Sequence, residues 1–267
     1  MCTVTIIGLE RDPANGSAGG IRMLASRDEE RSRQPATPPT WHTADGVKGL
    51  WPTDPTGGGT WVAVSERGLA LTLLNGNPRP YPELPPPDVM RSRGTIIPQL
   101  IGSATPDEAI ERLGHLELDA YVPFRLVAAG VVDGVPLVAN AAWDRASLRV
   151  TLAANPPVCF ASSGMGDELV QPRYPLFDDI VGRNPTPEAQ DEYHKHTWPD
   201  RLPISVWMMR EAARTVSMTC VEVLGDGSSD GEPAEVSLHY EPMPEPYDEV
   251  EYPETHLSVV PEDARSR

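Results

Sequence analysis

The order of strand-like and helix-like stretches predicts an α+β fold: two mixed sheets carrying helices on their outer faces. Three observations support it. Short β-branched and apolar runs cluster in two blocks, residues 2–74 and 124–240. Helical patterns fall between and within those blocks, near 93–116 and 174–196. Hydrophobic residues make up 39% of 267, enough to bury a sizeable core in one layered domain.

The elements follow in order. Residues 2–8 are β-branched and apolar and read as a strand, and 21–25 as the strand returning from a turn at Asp12-Pro13-Ala14-Asn15-Gly16. Such a hairpin pins the start of the chain into a sheet. Ser26-Arg27-Asp28-Glu29-Glu30-Arg31 reads as a charged loop or charged hairpin end. Residues 34–55, rich in Pro and Thr, read as a long irregular segment whose Trp41, His42 and Trp51 line a pocket or pack the loop down. Gly57-Gly58-Gly59 leads into a strand at 61–65. It lacks the lysine and spacing of a phosphate loop, so close packing or backbone freedom explains it. A strand at 69–74 ends at Asn75-Gly76-Asn77, and 78–92 is Pro-rich loop. Residues 93–103 are helical despite Pro98. Thr105-Pro106-Asp107-Glu108 is an N-cap followed by Pro and an acidic turn, opening a helix over 106–116. Strands follow at 124–130, 135–142, 147–152 and 158–162, with an Asp133-Gly134 turn. Helices at 174–181 and 187–196 precede strands at 205–210, 215–224 and 235–240. The domain spans 1–240; the acidic, Pro-rich stretch 241–267 reads as an extended or disordered tail.

Charge narrows the partners. With 39 acidic against 22 basic residues, the net charge of −17 disfavours nucleic-acid phosphates and anionic membranes. No run approaches the roughly 18 apolar residues of a membrane span, and no signal-peptide pattern opens the chain. The default expectation is a cytoplasmic protein that inserts in no membrane. No cofactor is implied, and oligomeric state is left open.

Three cysteines, Cys2, Cys159 and Cys220, form neither a disulfide framework nor a metal pair. Cys159 and Cys220 lie among apolar residues and read as core. Cys2 differs because removal of Met1 would place an α-amine beside its own thiol. An α-amine has a pKa of about 7.7–8.0 and a thiol one near 8.5, so one residue supplies base and nucleophile. His194-Lys195-His196 lacks a third metal ligand and reads as a solvated helix end. No GxSxG elbow supports a serine triad.

Cys2, the Ser26-Arg27-Asp28-Glu29 stretch, Gly58-Gly59-Thr60-Trp61 and Asn75 occur in one order. That set resembles the NRDE family of transport and Golgi organisation protein 2-like chains, over residues 1 to about 224, with Ser26 replacing the Asn of the family motif. The family looks like a branch of the N-terminal nucleophile (Ntn) hydrolases. Their cysteine members include penicillin V acylases, bile salt hydrolases and acid ceramidase-like amidases, which cleave linear amides. The resemblance implies a four-layer αββα sandwich of two antiparallel sheets. It further implies Cys2 as nucleophile with its α-amine as base. Asp28 would hold the amine or thiol, Arg27 would favour the thiolate, and Asn75 would donate to an oxyanion. Ser163 stands where relatives often carry Asn, which removes an amide donor. Arg214 falls where the acylases carry an arginine near the nucleophile. The other expectation from the family is a non-catalytic protein that binds a haem-like or lipid ligand.

Overall fold

Strand β1, Cys2–Leu9, is buried on both faces from Cys2 to Ile7, which is why it reads as a continuous β-branched run instead of alternating. Val4 and Ile6 face a second sheet, whereas Ile7 joins a cluster with Phe177, Val181 and Tyr193 of the helical layer. The computed structural model describes residues 2–10, 19–225, 234–243 and 255–259. The Asp12–Gly16 turn and most of the acidic tail therefore lie outside the described residues.

The first sheet contains β1, β2 (Gly20–Glu30), β10 (Val158–Ser162), β11 (Ala213–Leu224), β12 (Glu235–Pro242) and β13 (Thr255–Val259), in the order β10-β1-β2-β11-β12-β13. The second contains β3 (Thr37–Ala44), β4 (Val47–Thr53), β5 (Val62–Ser65), β6 (Ala70–Asn75), β7 (Phe124–Val132), β8 (Val135–Trp143) and β9 (Leu148–Ala154), in sequence order. Every described strand pair in both sheets is antiparallel, so neither sheet is mixed.

Three clusters define the layers. Val4, Ile21, Val62, Val64, Val127 and Val221 fill the space between the sheets. Leu71, Leu126 and Ala139 pack outward against α1 (Ile96–Leu100) and α2 (Pro106–Leu113). The other sheet packs against α3 (Arg173–Phe177), the π-helical turn Asp178–Gly182 and α4 (Pro187–His194). The fold is an αββα sandwich.

Several elements differ from their sequence reading, each for a physical reason. Residues 26–30 continue β2 instead of forming a loop, because neighbouring side chains take up the charges of Arg27 and Asp28. The segment 34–55 is mostly the β3–β4 hairpin, not irregular chain. Its turn is Asp45-Gly46, with φ of 52° and 72° at the two residues, an Asp-Gly signal masked by surrounding prolines. Pro38 and Pro39 are tolerated because β3 is an edge strand whose register shifts between Thr37 and Thr40. Residues 205–210 form no strand. They follow a 3₁₀ turn, Leu202–Ile204, and the carbonyls of Ile204 and Ser205 accept from Arg173. β12 runs on to Pro242, and β13 lies within the stretch read as a tail.

His194 is fully buried, not a solvated helix end. Its Nδ1 meets Ser26 Oγ at 2.7 Å and its Nε2 meets Thr5 Oγ1 at 2.8 Å, joining α4 to β1 and β2. Burial first, then Arg22 and Arg173, pushes its pKa down to about 3. Below about pH 6.5 the unfolded chain binds a proton that the folded chain refuses. Stability should therefore fall as pH drops from 6.5 toward 3, with up to about 1.4 kcal/mol per pH unit from this group. Urea unfolding of His194→Gln between pH 4 and 7 should show a shallower pH slope than wild type; an unchanged slope would exclude His194 as its source.

The glycine run serves close packing. A Cβ on Gly59 would lie 2.3 Å from the Gly94 carbonyl carbon, and Thr60 N donates to Gly94 O at 3.1 Å. Gly59→Ala should cost about 1–3 kcal/mol in urea unfolding, because two backbones must separate.

Candidate active site

Strand register sets the neighbours of Cys2. It lies opposite Arg27 on β2 and Ser162 on β10. Directly opposed residues in antiparallel strands share a face, so Arg27 and Ser162 accompany Cys2 on the face toward the second sheet. A cleft of about 200 Å³ opens there, lined by Cys2, Arg27, Asp28, Trp61, Asn75 and Arg93 with the neighbouring Glu29, Arg33 and Asp54.

Cys2 is 8% exposed. Burial pushes its thiol up, and the Asp28 charge adds to the rise; Arg27 and a hydrogen bond from the Asp28 backbone N–H pull it down. Asp28 thus has two opposite effects. Its amide favours the thiolate, while its carboxylate accepts from Thr215 Oγ1 at 2.6 Å. Burial raises the Asp28 carboxyl pKa, against the pull of Arg173, Thr215 and Arg210.

Arg27 is held in place on several sides. Its guanidinium stacks 4.3 Å from the Trp61 ring centre and pairs with Glu29 and Asp54, each at 3.3 Å. Asp54 also binds Arg33 at 2.7 Å and accepts from the backbone of Thr56 and Gly57. Cys159 and Cys220 are set apart from this chemistry: burial pushes both thiols to about 12, so they stay protonated.

The structure brings Cys2, Arg27, Asp28 and Asn75 together. Asn75 ends β6 on the opposite wall, and among the described residues no hydrogen bond engages its side-chain amide. Its loop is fixed from the next turn: Asp167 accepts from Asn77 N at 3.0 Å, Asn77 Nδ2 at 3.2 Å and Ser163 N at 2.8 Å.

Two sequence candidates lie elsewhere. Ser162, not Ser163, is opposite Cys2; Ser163 comes one residue later, and its Oγ accepts from Met165 N and Arg210. Arg214 pairs opposite Glu29, two positions beyond Arg27, and its guanidinium donates to the carbonyls of Thr215 and Met243. It lines a neighbouring cavity with Tyr240 and Met243 instead of the Cys2 cleft. The arginines whose charges act on Asp28 are Arg173 and, more weakly, Arg210. Asp54, Arg33 and Arg93 were invisible to sequence reasoning. Asp54 closes a segment read as irregular, and Arg93 reaches the cleft only through the Gly59–Gly94 contact. Among the described residues no group of three or more His, Cys, Asp and Glu could hold a metal ion. Among the described residues no helix is long and apolar enough to cross a membrane.

Comparison with known proteins gives a consistent placement. Among solved structures, the Caenorhabditis elegans N-acylethanolamine-hydrolyzing acid amidase ortholog superposes with a TM-score of 0.51 at 13% identity. The match covers 86% of this chain and 94% of that one. Penicillin V acylase from Agrobacterium tumefaciens matches with a TM-score of 0.43 at 12% identity, over 85% and 83% of the two chains. The C2A mutant of conjugated bile acid hydrolase from Clostridium perfringens gives 0.43 at 11%, over 91% and 92%. At such identity the likeness to the amidase shows a shared fold, that of the Ntn hydrolases, and nothing finer. No curated protein matches the chain. The family model for Transport and Golgi organisation 2 matches residues 1–164, which include Cys2, β2 and Asn75, and the chain therefore belongs to the Transport and Golgi organisation 2 family.

Proposed function

We propose that this chain is a cysteine hydrolase of the N-terminal nucleophile type that cleaves a linear, non-peptide amide. The observation that carries the reading is the setting of Cys2. Its thiol lies in a cleft beside Arg27, takes a hydrogen bond from the Asp28 amide, and faces a wall bearing the Asn75 amide. The amidase fold likeness supports the same reaction class.

Cutting the peptide bond before Cys2 frees its α-amine. The amine takes the thiol proton, and the sulfur attacks the substrate carbonyl carbon while the carbonyl π electrons move to oxygen. Arg27 and the Asp28 N–H stabilise negative charge on sulfur before attack, and Asn75 donates to the oxyanion. Collapse breaks the C–N bond, and the α-ammonium returns its proton to the leaving nitrogen. Water, deprotonated by the same amine, then attacks the thioester carbonyl, and C–S cleavage releases the acid and restores the thiol. A buried thiol whose pKa is raised depends on such a base. The charged lining also favours this reading over an apolar, haem-like ligand, which would strip water from Arg27, Arg33 and Asp54 without replacing their partners.

Cys2→Ala should retain the folded state by circular dichroism and lose hydrolysis across a panel of N-acyl amides. Asn75→Ala should lower kcat about 10²–10³-fold, the usual loss for one oxyanion donor. Turnover should rise with pH as the amine loses its proton near pH 8. Hydrolysis that survives in Cys2→Ala would refute the assignment.

A further inference from the structure

Arg93 differs from the other cations of the cleft. Arg27 pairs with Glu29 and Asp54, and Arg33 pairs with the same two carboxylates. Among the described residues Arg93 has no carboxylate within ion-pair distance. Its one described side-chain hydrogen bond runs from Nη1 to the Pro123 carbonyl at 2.9 Å, which anchors the guanidinium and leaves four of its five N–H donors. It is half-buried and lines the cleft together with Cys2. Burial lowers its pKa, the direction for a cation set in a poorly solvated place, while Tyr81, Cys2 and, beyond ion-pair distance, Glu29 act against that fall.

The position is built. Arg93 opens the 3₁₀ turn Arg93–Thr95, and the adjoining Gly94 is pressed against Gly59, so the guanidinium enters the cleft from the wall opposite β2. A chain with a net charge of −17 repels anions at long range. A cation in this small cleft that none of the lining carboxylates pairs with is therefore a selective feature. Arg also offers a planar fork of donors that matches carboxylate and phosphate oxygens.

We propose that Arg93 is a specificity residue that binds an anionic group, carboxylate or phosphate, on the molecule whose carbonyl meets Cys2. That the molecule is an amide rests on the function proposed above; the binding of an anion does not. The substrates then belong to small N-acyl amides that carry a negative charge on the acyl or the amine side.

The test separates binding from hydrolysis by using the full-length Cys2→Ala protein. Three probes are titrated by calorimetry: N-phenylacetylglycine, N-phenylacetylethanolamine phosphate and the neutral N-phenylacetylglycinamide. At least one anionic probe should bind about tenfold or more tightly than the neutral one, as expected for a charge-assisted pair. The tighter of the two anions identifies the group. In the Arg93→Met background the preference should shrink to within about twofold. Arg93→Gln, which keeps a donor for the Pro123 carbonyl, gives the same readout if the Met variant does not fold. Equal binding of all three probes, no binding at millimolar concentration, or a preference that survives loss of Arg93 would overturn the proposal. Absence of turnover in wild type with this binding intact would instead count against the hydrolase reading alone.

Discussion

The register of β1 against β2 is the constraint on which the rest of the structure depends. Side chains alternate across a strand, so a slip of one residue would turn Cys2 toward the helices and take Arg27 away from the cleft. The slip is resisted on both faces. Val4 and Ile6 are fitted into the core between the sheets, while Thr3 and Thr5 meet polar partners in the helical layer. Arg173 is wholly buried and donates to Thr3 Oγ1 and to the carbonyls of Ile204 and Ser205. A buried cation satisfied in this way holds one arrangement, because any other leaves its donors without acceptors. The layer that never touches the cleft therefore fixes where the Cys2 thiol points.

Electrostatics inside the cleft run against those of the whole chain. The surface is strongly acidic, yet the cleft brings Arg27, Arg33 and Arg93 together with Asp28, Glu29 and Asp54. Shared carboxylates neutralise two of the arginines, and the Trp61 ring covers one of them. Cys2 consequently sits in a balanced field. Burial resists ionisation of its thiol, while Arg27 and the Asp28 amide lower the barrier to it. Such a thiol is quiet until a base is supplied close by, the role that the proposed reaction gives to the Cys2 α-amine.

Much of the architecture was legible from local chemistry. The β-branched run at Cys2–Leu9, the Thr105 cap and the Asp133-Gly134 turn are each dictated by residues within a few positions. Cys2, Arg27, Asp28 and Asn75 were grouped by their order in the chain and the family resemblance, and one cleft is lined by all four. What stayed hidden depended on distant partners. Ser26–Glu30 looked like a loop because the neighbours that take its charges, Asp54 and Thr215, are far away in sequence. Ser163 and Arg214 were assigned to the site by the family resemblance, whereas Ser162 is the residue opposite Cys2 and Arg210 one whose charge acts on Asp28. Arg93 carried no local signal, since only the contact of two glycines 35 residues apart brings it to Cys2.

The most direct measurement is rapid-quench mass spectrometry of the N-terminal peptide during turnover of an N-acyl amide. If Cys2 is the nucleophile, the peptide begins at Cys2 and carries the acyl group as a thioester, which hydroxylamine removes. A peptide that retains Met1 in actively hydrolysing protein, or turnover without an adduct on Cys2 under conditions where the acyl-enzyme accumulates, would contradict it.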